Sequence, residues 1–248
     1  MPSVDANLAH NSEAKWSATL STPSTNTPKF DPSFAFGTSS AAEALTSFGL
    51  TFTRLKESIT QYGRPALDVG TSYSTLICEA HLRGIPIFGT DLAYARDSAK
   101  FFQTVAQNLE RLKDSYTKGL AAMFAPENWD HYASAALSAM QQQLTACSAA
   151  EIKMPDGSRA KDQLFSTVLS RNAVPTWSTV KDFTERELPE LLRVAAHQVL
   201  LHPLAFVDYP VPPVPSGNPL ANHLASIGAQ HGFSFQLDVS GTAIFKKS

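Results

Sequence analysis

The stretch ALDVGTSYSTL (66–76) stops an apolar run at a single glycine, Gly70, and follows it with small hydroxyl residues. Asp68 stands two residues before that glycine, and Asp91 ends a second apolar run, PIFGT, twenty-one residues after it. A glycine at the carboxyl end of a strand lets the chain turn tightly, and the helix start that follows offers unpaired backbone N–H groups. A carboxylate ending the neighbouring strand can accept hydrogen bonds from both hydroxyls of a ribose. Together these residue types describe a nucleoside-type site, with Thr71 and Ser72 lining it through backbone groups. Ser72 and Ser74 occupy places where such loops carry further glycines. Their side chains narrow the space, and their hydroxyls offer hydrogen bonds in exchange.

The elements around the motif must hold it at one sheet edge. ALDV reads as a short buried strand, residues 73–83 as a helix closed by Gly84, and PIFGT as a second strand: a βαβ unit with parallel strands. Before it, Ser40 and Glu43 have capping-box spacing, and Leu45, Phe48, Phe52, Leu55 and Ile59 predict one helix running to Gly63. After it, 94–147 reads as helical, a helical insertion in which Trp129 and Tyr132 are read as core packing between helices, with a lid over a pocket as the alternative. LFSTVLS (164–170) is a strand, 185–199 a helix, and LAFVDY (204–209) a fifth strand ending at Asp208 and Tyr209. No clear third strand stands out, and AAEIKM (149–154) is a poor candidate for it. Asn218 and Pro219 start a last helix, and FSFQLD and TAIFKK alternate as an antiparallel hairpin.

Composition narrows the function classes. The 248 residues are 43% hydrophobic, enough for one sizeable core, and residues 1–30 form a polar lead expected to be a flexible tail. The net charge is −2, and no basic stripe carries the footprint of a nucleic-acid binder. Cys78 and Cys147, the only cysteines, read as free buried thiols in a reducing compartment. The scattered histidines imply no structural metal. No apolar run approaches the ~18 residues of a membrane span, and the N-terminus does not read as a signal peptide. The expected localisation is cytoplasmic.

Through ALDVGTSYSTLICEAHLRGIPIFGTDL the chain resembles the class I S-adenosylmethionine-dependent methyltransferases, with a degenerate glycine motif. LFSTVLSRNAVP resembles the family's fourth strand and its loop, and GFSFQLDVSGTAIFKKS its reversed last strand pair. The resemblance covers 64–92 and 163–248. It implies an α/β fold: a Rossmann-like open sheet, mostly parallel with an antiparallel C-terminal hairpin, and helices on both faces. It also implies S-adenosylmethionine as cofactor, with Asp91 on the ribose, Leu92 on the adenine or ribose face, and Gly70, Thr71 and Ser72 along the methionine portion. Asp68 would fix the loop or meet the ammonium through water. Ser170, Arg171 and Asn172 would face the reacting methyl, Arg171 clamping an acidic acceptor, and Asp208 or Tyr209 would orient the acceptor's proton. A small-molecule acceptor is expected, and no catalytic residue is assigned.

Three rival readings address the same loop. A dinucleotide oxidoreductase would seat a pyrophosphate on G-x-G-x-x-G, but Ser72 and Thr75 stand at the second and third places. A serine hydrolase would read GTSYS as a nucleophile elbow, with Ser72 as nucleophile and Asp208 and His231 as partners. A binding or scaffold protein would keep the methyltransferase fold without turnover, and the filled glycine places favour it.

Overall fold

Why ALDV and PIFGT become strands is plain from burial. All four residues of β1 (Ala66–Val69) are sealed from solvent, as are three of the four of β2 (Ile87–Thr90). The computed structural model describes residues 40–94, 96–118, 123–209 and 218–248. The polar lead and most of the proline-rich stretch before Asn218 lie outside them. β1 pairs in parallel with β2 on one side and with β4 (Phe165–Arg171) on the other. β3 (Leu144–Thr145) joins β2, and β5 (Ala195–His202) joins β4, both in parallel. β6 (Phe233–Leu237) and β7 (Ala243–Lys247) form the antiparallel hairpin, with β7 inserted beside β5. The seven-stranded order is β3-β2-β1-β4-β5-β7-β6, the predicted Rossmann-like sheet with a reversed last pair. An all-parallel dinucleotide-binding sheet would end in a parallel sixth strand instead.

Helices cover the sheet. On one face Ala66, Leu169 and Leu200 share a buried cluster with Leu45, Leu55, Ile77, Phe101 and Met140. These come from α1 (Ala41–Ser47), α2 (Phe52–Tyr62), α3 (Leu76–Leu82), α4 (Ser98–Glu110) and α6 (Trp129–Gln143). A short α5 (Lys113–Thr117) lies between α4 and α6. α7 (Val180–Asp182) runs through a π-turn into α8 (Leu188–Val194), which packs on β4 and β5; α9 (Pro219–Gln230) packs on β6.

Three expectations need correction. The single helix over 40–63 is two: Gly49 adopts φ 65°, the amide of Leu50 returns to the carbonyl of Leu45 at 2.9 Å, and Thr51 caps a new start. An apolar stripe spaced at three and four residues survives such a break, so periodicity hides it. The helix expected to run to 199 ends at Val194, and the fifth strand is Ala195–His202 rather than 204–209. Leu191, Ala195 and Val199 fit a helical period, but the tertiary position between β4 and β7 decides for a strand. The third strand is the two-residue β3, at the end of the stretch read as helical; AAEIKM forms no strand. For Trp129 the packing reading holds over the lid: it is fully buried, and its Nε1–H donates to Glu110 Oε2 at 2.7 Å. Tyr132 stacks on Phe124 with centroids 4.1 Å apart.

The two cysteines are free and buried, and burial pushes the Cys78 thiol up to about 12. Among the described residues no helix is long and apolar enough to cross a membrane.

Candidate functional site

The loop from Gly70 to Thr75 rises from the carboxyl end of β1 and leads into α3. The amides of Gly70 and Thr71 both reach the carbonyl of Thr90, at 2.8 and 3.1 Å, binding the loop to the end of β2. Asp91 follows directly. Its Oδ2 accepts from the amide of Ser72 at 2.5 Å and its Oδ1 from the amide of Ala93 at 2.6 Å. The carboxylate is therefore against the glycine loop, as the spacing predicted. An ionised carboxylate has about four acceptor positions, so two remain beyond those the amides take.

Gly70 has a second neighbour. Its φ is 74°, and a Cβ built on it would lie 2.0 Å from the Cβ of Ala173, in the loop after β4. Only a glycine permits that approach. The loop is tied down from below: the Ser170 hydroxyl donates to the carbonyl of Val69 at 2.9 Å and accepts from the amide of Val174 at 3.0 Å. Ser170 is fully buried, so its hydroxyl joins β1 to the β4 loop.

Ser72 departs from ordinary backbone chemistry. Its φ is 51°, in the left-handed region, and its Oγ is sealed from solvent with no hydrogen-bond partner. The one other such atom among the described residues is Thr176 Oγ1, in the loop after β4. An unpaired buried hydroxyl costs about 1–3 kcal/mol, and two of them stand on the loops that meet at Gly70 and Ala173. Thr71 is buried, its hydroxyl donating to the carbonyl of Asp68 at 3.2 Å. Leu92, beside Asp91, is 55% exposed, an apolar surface at the rim.

Asp68 lies beneath this loop, 6% exposed. Burial pushes its carboxyl up to about 7; the nearby Asp91 adds to the rise, while Thr71 and Arg171 oppose it. A carboxyl whose folded pKa exceeds its ordinary 3.8 binds its proton more tightly when folded. Stability is then fullest at low pH and falls as pH rises through the window up to about 7. Asp68→Asn removes that penalty. It should raise the melting temperature at pH 8, by a stabilisation on the order of 4 kcal/mol, and much less at pH 5. Thermal melts at the two pH values check this; an equal shift at both, or none, means the carboxyl ionises freely in the fold.

Alternation along each strand puts Asp68, Arg171 and His202 on the face of Ala66, Leu169 and Leu200. Arg171 is half-buried at the end of β4, in register with His202 at the end of β5. Asn172 is exposed, with φ 54°. Asp208 and Tyr209 do not end a strand. Asp208 Oδ1 accepts from the amide of Val180 at the start of α7, at 2.9 Å, and the Tyr209 hydroxyl accepts from Asn218 Nδ2 at 3.2 Å. His202 takes the strand-end position that the sequence reading gave to Tyr209. Ending β5 at Pro203 rather than at Pro210 would have found it. The Ser72–Asp208–His231 triad is not assembled: nothing hydrogen-bonds to Ser72 Oγ, and Asp208 caps α7.

No protein-family model matches this sequence, and no curated protein does. Among solved structures, the chain is similar to magnesium protoporphyrin IX methyltransferase (ChlM) from Synechocystis PCC 6803 with bound SAM, at 12% identity, 100% of both chains and a TM-score of 0.44. It is also similar to DesVI from Streptomyces venezuelae, at 12% identity over 84% of this chain and 92% of that one, with a TM-score of 0.45. A TehB-like SAM-dependent methyltransferase from Corynebacterium glutamicum is similar at 13% identity over 83% and 94%, with a TM-score of 0.37.

Proposed function

We propose that this chain binds S-adenosylmethionine and is a methyltransferase acting on a small molecule. The observation that carries the reading is Asp91: a carboxylate at the end of β2, oriented by the amide of Ser72, in a sheet of order β3-β2-β1-β4-β5-β7-β6. The residues suit such a cofactor. Asp91 keeps two acceptor positions for a ribose diol, Leu92 offers an exposed apolar surface beside it, and Ser72 Oγ is a buried hydroxyl that lacks a partner. Asp91 would hold the ribose and Leu92 the adenine or ribose face. Gly70, Thr71 and Ser72 would line the methionine portion, with Asp68 beneath them. When bound, the cofactor supplies an electrophilic methyl carbon on a positive sulfur, so the chain's task is mainly alignment. The two free buried thiols support a reducing, cytoplasmic setting.

The contact of Gly70 with Ala173 favours a second reading, a methyltransferase-fold binding protein without turnover, because it brings the β1 and β4 loops directly together. A thermal-shift comparison with S-adenosylmethionine, S-adenosylhomocysteine, NAD and buffer tests the cofactor class. Stabilisation by the first two alone is the expected result. No shift with either, or an equal shift with NAD, removes the reading; binding without methyl transfer to any acceptor selects the second one.

Ser72 gives a sharper test. Ser72→Ala removes the orphan hydroxyl, so the free protein should melt higher. If the hydroxyl serves the ligand, affinity for S-adenosylhomocysteine should fall about five- to tenfold, the worth of one neutral hydrogen bond. Calorimetry showing unchanged or tighter binding would mean that Ser72 only fills space.

A further inference from the structure

His202 is a titratable group at the sheet's carboxyl edge to which the cofactor-binding residues give no role. Its Nδ1 lies 2.9 Å from Thr242 Oγ1, and the Thr242 hydroxyl donates to the carbonyl of Ser47, also at 2.9 Å. A hydroxyl has one proton, and a carbonyl can only accept. With the threonine proton on Ser47, Nδ1 of His202 must carry the hydrogen of that contact, which leaves Nε2 as the bare nitrogen of the neutral ring. Thr242 is itself fixed: its amide donates to Asp238 Oδ1 at 2.9 Å, and Ser240 Oγ donates to that same oxygen at 2.6 Å. Phe48 and the imidazole pack edge to face, their ring centroids 6.5 Å apart. Among the described residues Nε2 has no hydrogen-bond partner, and it is not among the sealed unpartnered atoms, so solvent reaches it.

Beside it, in register on β4, the half-buried Arg171 guanidinium forms no ion pair or hydrogen bond among the described residues. The buried Asp68 carboxyl on the same face feels the guanidinium charge without pairing with it, so the donors of Arg171 are left for an added anion.

We propose that Arg171 and His202 form the acceptor end of the site, Arg171 holding the anionic group of a small organic acid and Nε2 of His202 taking the proton of that molecule's ionisable hydroxyl. The inference rests on the methyltransferase reading for the fate of the oxygen. In the step itself the acceptor's O–H bond breaks, its electron pair stays on oxygen, and the proton passes to the Nε2 lone pair. Two charged groups face the imidazole. Burial and then Arg171 on β4 hold its pKa below the ordinary 6.5, against the smaller opposing effect of Asp238 in the β6–β7 turn. The ring is therefore neutral at pH 7, as a proton acceptor must be. An anion bound on Arg171 offsets the guanidinium charge, so the acceptor raises the basicity of the group that deprotonates it.

Long-range proton–nitrogen correlation spectra of the full-length, 15N-labelled protein test the arrangement, with 4-hydroxybenzoate as probe. Expected are the Nδ1–H tautomer at neutral pH, a His202 pKa below the ordinary 6.5, and a rise of about half a unit or more when millimolar probe is added. Arg171→Gln should raise the resting pKa and abolish the response to the probe. Thr242→Val should mix the tautomers while the other histidine signals stay in place. An Nε2–H tautomer in the wild type, a pKa that ignores the probe, or the same response in Arg171→Gln would overturn the proposal. Calorimetry with S-adenosylmethionine on the same samples separates the two claims. His202 responding without cofactor binding leaves the anion subsite and removes methyl transfer. Cofactor binding with an unresponsive His202 does the reverse.

Discussion

Alanine at position 91 is expected to abolish S-adenosylhomocysteine binding and, with it, part of the fold's stability. The Asp91 carboxylate receives two protein amides, from Ser72 and Ala93. Truncation strands both donors in a part-buried loop, at about 1–3 kcal/mol each. The melting temperature should drop by several degrees while the fold stays intact. The binding loss is larger. Two charge-assisted hydrogen bonds to a ribose, at roughly 1.5–3 kcal/mol each, correspond to about a hundred-fold or more in affinity. Asp91→Asn separates the effects in part: it keeps the side-chain shape and one acceptor oxygen but turns an NH2 toward the second amide, so only part of the stability should return while affinity stays reduced. Calorimetric titration of the three proteins, well below their melting temperatures, decides. Equal affinities would take Asp91 out of the site altogether.

The same residue shows what was legible in the chain. A glycine and an acid twenty-one residues apart, each at the end of a short apolar run, place themselves at neighbouring strand ends because a βαβ unit leaves few alternatives. The Ser40–Glu43 capping box, the Asn218 cap and the closing hairpin were equally local, and all three stand. What failed was non-local. Residues 195–199 continue the apolar stripe of the helix before them, and it is pairing with β4 and β7 that makes them part of a strand. That one boundary moved the fifth strand's end from Tyr209 to His202, and so moved the acceptor end of the candidate site. β3 has two residues, too few for any pattern. The partners of Ser170, Asp208 and Trp129 are likewise set by packing. Each of these polar groups bonds to an element that the spacing of its own segment does not reveal.

Replacing Gly70 by alanine is expected to be the most destabilising small change in the site. Two penalties coincide. At φ 74° an L-residue costs roughly 1–2 kcal/mol, and the new Cβ would sit 2.0 Å from that of Ala173, far inside contact distance. Neither partner can retreat easily: the Gly70 amide is bound to Thr90, and the Ala173 loop is tethered through Ser170. The single variant should therefore lose more than about 3 kcal/mol, in the range of overpacked cores. Ala173→Gly alone should cost about 0.5–1 kcal/mol, from chain entropy. The double variant removes the collision and keeps the dihedral strain, so it should be more stable than Gly70→Ala alone. A coupling above about 1 kcal/mol, from urea denaturation of all four proteins, is the expected signature of direct contact. Strict additivity would show that the β1 and β4 loops do not touch in solution. The space between them would then be open to a ligand without any movement of the chain.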